Sequence, residues 1–232
     1  MVMRIVALQP RDAVSRSTPM NPRIVPFLLL LLTGCSNVYY NAMEKVGFAK
    51  REILVDRVED AQEAQQDAKE QFTSALDQLL EITRSDGGDL KTTYNRLNSE
   101  LRRSETRAKE VRERIAAVED VAEALFDEWE DELEQYESAS LRRSSERQLR
   151  ATRERYEKMI GLMQRAASRM DPVLATFRDQ VLFLKHNLNA RALAGLDVTA
   201  KELEADVGAL LADMERSIRE ADAFVAELQR AE

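Results

Sequence analysis

Residues 90–129 read LKTTYNRLNSELRRSETRAKEVRERIAAVEDVAEALFDEW. Within them Leu90, Tyr94, Leu97, Leu101, Ser104, Ala108, Val111, Ile115, Val118, Ala122, Leu125 and Trp129 fall alternately four and three residues apart. A mean spacing of 3.5 keeps one seam of a helix turned towards a partner, as knobs-into-holes packing requires. The positions between are mostly Glu, Arg, Asp and Lys, so the rest of the surface suits water. This stretch is a coiled-coil helix, and it needs partners.

The partners lie on either side. Upstream, Leu54, Val58, Ala61, Gln65, Ala68, Phe72, Ala75, Leu79 and Ile82 repeat the spacing, with alanines that let a neighbour approach closely. Asp86-Gly87-Gly88-Asp89 separates the two stretches. Glycine readily takes the left-handed conformation that closes a helix, and Asp89 can cap the next one. Downstream, Leu149, Thr152, Tyr156, Met159, Met163, Ala166, Met170, Val173, Phe177, Val181, Leu184 and Leu188 form a third seam. Pro172 falls inside it: either Asp171 caps a fresh helix there or one helix kinks. Gly195-Leu196-Asp197 is expected to end this segment. A last helix then follows through Leu203, Val207, Leu211, Met214, Ile218, Ala221, Val225 and Leu228.

The boundary between the second and third stretches rests on charge and register. Residues 127–137 hold seven acidic side chains and no basic ones, whereas 142–158 hold seven basic and three acidic. A reversal at Ser138-Ala139-Ser140 would set the runs face to face, although the helix dipole disfavours acids at a C-terminus and arginines at an N-terminus. One continuous helix would instead place Arg143, Glu146, Arg150 and Arg153 in the seam. A turn is the better reading. The fold expected is all-α, an elongated antiparallel coiled-coil or helical bundle of about four long helices. Seven glycines, five prolines and 6% aromatic residues argue against a β-rich alternative.

The first 34 residues are of a different kind. Ile24-Val25-Pro26-Phe27-Leu28-Leu29-Leu30-Leu31-Leu32 follows Arg23 and is closed by small residues. Nine residues rise about 14 Å as a helix, against a bilayer core of ~30 Å. A basic flank, a short apolar core and a small-residue end suit a signal peptide better than a span. Leu32-Thr33-Gly34-Cys35 resembles a lipobox, which implies cleavage before Cys35, a diacylglyceryl thioether on its sulfur and a further acyl chain on the new N-terminus. Several chains hold a protein firmly where one is marginal. Residues 1–19 sit awkwardly before this signal: either Met20 is the true start or the basic region is longer. Ser36, by resemblance to sorted lipoproteins, implies the outer membrane, facing the periplasm, rather than the inner.

Cys35 is the single cysteine, so no disulfide can form within one chain. Residues 1–34 hold four arginines and one aspartate, so a chain starting at Cys35 would carry about −11 rather than −8. Such a body lacks the basic footprint of nucleic-acid binding and is ill suited to lying flat on anionic lipid.

Few residues compete for chemistry. His186, the only histidine, stands in Leu182-Phe183-Leu184-Lys185-His186-Asn187-Leu188-Asn189-Ala190-Arg191. A general base needs a partner within hydrogen-bond reach, and a zinc site needs several His or Cys ligands. The sequence offers neither, so Lys185, His186, Asn187, Asn189 and Arg191 read as polar residues near a bundle end, a possible interaction cluster. Met159, Met163 and Met170 read as seam filler, with a groove for a hydrophobic or lipid-like ligand between the helices as the alternative. The acids Asp127, Glu128, Glu130 and Asp131 scatter around a helix and form no calcium loop. No phosphate loop or nucleophile elbow is present. No catalytic residue, metal or cofactor is expected, and the chain does not read as an enzyme.

Val38-Tyr39-Tyr40-Asn41-Ala42-Met43-Glu44-Lys45-Val46-Gly47, then Lys50-Arg51-Glu52-Ile53-Leu54-Val55-Asp56-Arg57-Val58, resemble the opening of a proteobacterial family. Glu128-Trp129-Glu130 and the residues around His186 resemble its later landmarks. The family is the domain of unknown function 2959. The resemblance covers nearly all of the chain after the signal and implies a lipoprotein-like, coiled-coil protein, with no activity or site to transfer. Taken together, the expected domains are a signal peptide over 1–34 and a single helical domain over 35–232. The expected partners are a membrane, through the lipid, and envelope proteins, with self-association possible.

Overall fold

The computed structural model describes residues 50–84, 89–187 and 190–230, without the side chains of 84 and 190–199. All of them fall within one compact unit, Ser36–Glu232. Cys35 and the signal-like segment lie outside the described residues, as do the glycines of the first turn. Among the described residues the chain forms four α-helices and no strand: α1 Lys50–Arg84, α2 Leu90–Leu133, α3 Ala139–His186 and α4 Ala190–Arg230. The 48 residues of α3 rise about 72 Å at 1.5 Å each.

Local chemistry starts the helices. Asp89 caps α2, its carboxylate accepting from the Lys91 amide at 3.1 Å and the Thr92 hydroxyl at 2.5 Å. The Thr92 bond, and after it the Lys91 amide, holds this exposed carboxyl below its ordinary pKa. At the next junction α2 ends at Leu133 and the chain reverses over residues 134–138. Ser138 then caps α3, accepting from the Leu141 amide at 3.5 Å. The turn expected at Ser138-Ala139-Ser140 therefore exists but lies earlier, and Ala139 and Ser140 are already helical.

Side-chain pairs fix the direction and register of each interface. Between α2 and α3 they are Glu130–Arg153, Glu119–Gln164, Arg112–Asp171 and Glu105–Arg178. Steps of 11, 7 and 7 residues down α2 match equal steps up α3, so the helices run antiparallel in one unbroken heptad register. Glu128, Asp60, Asp67 and Glu81 join α1 to α2 through Lys50, Arg114, Arg107 and Arg96. Gln62–Asp222 and Lys69–Glu215 join α1 to α4, again seven residues apart on both. Arg155–Glu227, Lys158–Glu220 and Arg169–Asp213 join α3 to α4. The result is an up-down-up-down four-helix bundle in which α4 closes against α1. Most of these pairs are exposed and contribute little stability singly; their value is registry.

The core follows the seams. Every seam residue named in α1 is buried, as is α2 from Leu97 to Leu125 and α3 at Leu149 and from Met159 to Leu184. Leu90, Tyr94, Trp129 and Tyr156 are partly buried at its margins. Pro172 interrupts nothing: it lies on the exposed side of a continuous α3, and Asp171 pairs with Arg112 instead of capping a new helix.

Two expectations need correction. The third segment does not end at Gly195-Leu196-Asp197, which lies inside α4. The break comes at Asn187, whose backbone leaves the helix (φ −126°, ψ 57°) and whose amide side chain donates to the Phe183 carbonyl at 3.0 Å. An asparagine can offer the backbone a bond of its own, while a lone glycine costs a helix only about 1 kcal/mol. The α4 seam is also displaced. It runs Leu203, Val207, Leu210, Met214, Ser217, Ala221, Phe224 and Leu228; of the expected positions Val225 is buried beside it, while Leu211 and Ile218 are only partly buried. Packing against α1 and α3, not hydrophobicity, selects the stripe here and carries Ser217 inside.

Ser217 and Gln65 are fully buried, and neither the Ser217 hydroxyl nor either end of the Gln65 amide has a hydrogen-bond partner among the described residues. A polar core position can specify coiled-coil register at a cost in stability. An unsatisfied buried polar group costs about 1–3 kcal/mol. Gln65→Met, similar in volume, is accordingly expected to raise the urea midpoint of unfolding with an unchanged slope. A lowered midpoint would show that the amide is a stabilising contact.

Candidate functional site

The richest chemistry in the described residues gathers where α1 begins, α2 and α4 end and α3 starts. Here Phe126 and Tyr156 pack edge to face, ring centres 5.4 Å apart, and Phe224 of α4 lies 6.4 Å from Tyr156. Burial, and secondarily the carboxylates of Glu119 and Glu123, raises the Tyr156 pKa, so it stays a neutral phenol. The Arg153 guanidinium sits 4.9 Å above the Phe126 ring while pairing with Glu130 at 2.7 Å.

Trp129 marks the edge of this cluster. Its indole N–H donates to the Ser145 hydroxyl at 2.8 Å, and the Arg51 guanidinium lies 5.6 Å from its ring centre. It is only half-buried, because beyond it the bundle opens into a groove of about 430 Å³. Leu125, Trp129 and Glu132 of α2 line one side, Tyr136 of the turn that follows closes the end, and Leu141, Ser145 and Gln148 of α3 line the other side. These are one-face helical spacings, so the groove has the form that receives a third helix. Tyr136 is 41% and Leu141 58% exposed there, although both are large and apolar. An acidic rim of Asp127, Glu128, Asp131 and Glu132 flanks Lys50 on the other side of α2. The arrangement can bind a side chain or helix; it brings together no nucleophile and base.

Asp213 supplies a second feature, a buried carboxylate (3% exposed) held by the Arg169 Nε at 2.5 Å and by Arg216. Both arginines reach solvent, so this is an ion-paired clamp between α3 and α4. Glu100 is buried comparably and accepts from Gln71 at 2.7 Å and Arg103 at 2.9 Å.

The cluster around His186 sits at the opposite end. Lys185 and His186 are exposed at the last turn of α3, and the imidazole makes no hydrogen bond or ion pair among the described residues. Asn187 is the helix cap. Asn189 lies outside the described residues, and Arg191 is in α4 with its side chain outside them. Leu182 and Phe183 nearby are 51% and 43% exposed. Met159, Met163 and Met170 are completely buried core, and none lines the end groove. Among the described residues no group of three or more His, Cys, Asp or Glu is placed to hold a metal ion. No helix there is long and apolar enough to cross a membrane.

With this geometry established, comparison with known proteins adds one match. A family model described as "Protein of unknown function (DUF2959)" matches residues 39–228. The chain belongs to that family. The match covers α1, α2, α3 and all but the last two residues of α4, and it begins at Tyr39, eleven residues before Lys50. No curated protein and no solved structure matches the chain.

The groove escaped sequence reasoning. Trp129 and Tyr136 are visible as apolar positions at the end of a seam, and the natural inference is that a seam residue is core. The signal that could have corrected this was the acidic crowding of residues 127–137, which marks a helix end projecting into water.

Proposed function

We propose that this member of the family is a lipoprotein of the bacterial envelope, held on a membrane through acyl chains on Cys35. Its helical bundle serves as a structural or protein-interaction module and not as an enzyme. The observation that carries the reading is the unique cysteine, placed directly after an apolar run and Leu32-Thr33-Gly34. Supporting it, the bundle offers long charged faces and end surfaces suited to contact with other proteins. Ser36 favours the outer membrane, with the bundle on the periplasmic side and envelope proteins as its partners.

Proximity labelling in living cells, from a label fused to the C-terminus, tests anchor and partners together. The unaltered chain is expected to pellet with membranes and to mark a reproducible set of envelope proteins. Cys35→Ala is expected to remain uncleaved and unlipidated and to lose that set. Intact mass spectrometry should find the unaltered chain starting at residue 35 with added acyl mass. A Cys35→Ala chain with the same processing and neighbours would refute the anchor, and an anchored chain with no consistent neighbours would refute the interaction role.

A further inference from the structure

The buried seams of α1 and α4 match knob for knob. From Val58 to Leu79 the first steps alternately three and four residues, and from Phe224 back to Leu203 the second takes the same steps in reverse. Gln62–Asp222 and Lys69–Glu215 set the two helices in register and bracket one layer, in which Gln65 meets Ser217. The layers on either side are Ala61 with Ala221 and Ala68 with Met214, so the amide lies among short side chains.

Gln65 and Ser217 are both 0% exposed, and no described residue hydrogen-bonds their side chains. Their neighbours are treated differently. Gln62, Gln66 and Gln71 each donate to a carbonyl or carboxylate, and Ser104, equally buried, donates to the Glu100 carbonyl one turn back. Ser217 does not take the equivalent bond to Asp213, which leaves its hydroxyl to the seam.

We infer that this layer is an internal hydration site: a water molecule enclosed between α1 and α4 bridges the Gln65 amide and the Ser217 hydroxyl. The two side chains offer an acceptor carbonyl, an amide donor and a hydroxyl that can do either. That is enough for the roughly three hydrogen bonds a buried water makes. Neither side chain is charged, and Asp213, one turn before Ser217, is already matched by Arg169 and Arg216, so the ligand is neutral. Full burial limits it to the size of water. The bridge also favours one register, because a slip of one heptad would set Gln65 against Leu210 or Phe224. A bridged amide still gives up bulk water and orders a molecule, so the gain expected for Gln65→Met stands.

The side-chain amide protons of Gln65 provide the test, in the nitrogen-15-labelled full chain held in a mild detergent. Identified by their loss in Gln65→Met, they are expected to show magnetisation exchange with water, of the sign that marks a long-lived bound molecule. Ser217→Ala should weaken those cross-peaks about twofold or more, since the water loses one of its bonds. Urea unfolding is the second measurement. Ser217→Ala is expected to raise the midpoint in the Gln65→Met chain, where no bridge is left to break, and not in the unaltered chain. A folded bundle without the cross-peaks overturns the inference. Additive changes in midpoint also overturn it, since the two polar groups would then be buried independently. Coupling without cross-peaks would mean a direct bond between amide and hydroxyl, and it too overturns the hydration site.

Discussion

Phe177→Ala is expected to lower the stability of the bundle by about 3–5 kcal/mol, the range for truncating a buried phenylalanine. The side chain is 2% exposed in the middle of the α3 seam. Its removal forfeits both the transfer of the ring from water and the contacts around the cavity left behind. At roughly 2–4 °C per kcal/mol for a domain of this size, the melting temperature should fall by about 6–20 °C. Leu182→Ala, five residues on, is the internal control: at 51% exposure it should change stability by no more than about 0.5 kcal/mol. Thermal unfolding followed by circular dichroism measures both. Equal effects at the two sites would mean that α3 does not present this seam to the core.

Pro172→Ala is expected to act in the opposite direction, stabilising by up to about 3 kcal/mol. Proline inside a helix removes one backbone donor and presses on the preceding turn, and α3 runs through Pro172 without a break. The position faces solvent, so alanine loses no core packing. The competing arrangement, a fresh helix capped by Asp171 with proline at its first position, predicts the reverse. There proline is favourable, so Pro172→Ala would be neutral or harmful and Asp171→Ala would cost a cap, about 0.5–2 kcal/mol. Melting temperatures of the two single variants separate the cases. A lower melting temperature for Pro172→Ala would overturn the continuous helix.

The unusual surface features of the described residues gather at the two ends of the bundle. The His186 cluster has residue types unusual for a coiled coil, and the structure gives Asn187 a specific task, ending α3. The groove at the other end has the more definite shape. It depends on Trp129 being held by Ser145 on the neighbouring helix, a contact across the turn that orients the ring at the mouth.

The residues alone were enough to determine the all-α class, the seams of the first three helices and the cap at Asp89. Each depends on spacing or on a side chain bonding its own backbone, interactions that reach only a few residues along the chain. They did not determine the α4 seam, where Leu211 and Ile218 compete with Leu210 and Ser217. Two apolar stripes on one helix differ by a small rotation, and only packing against α1 and α3 selects between them. Nor could they reveal the groove, which is lined jointly by residues of α2, the turn after it and α3. Its two sides come together only through the packing of α2 against α3, and no single segment contains it.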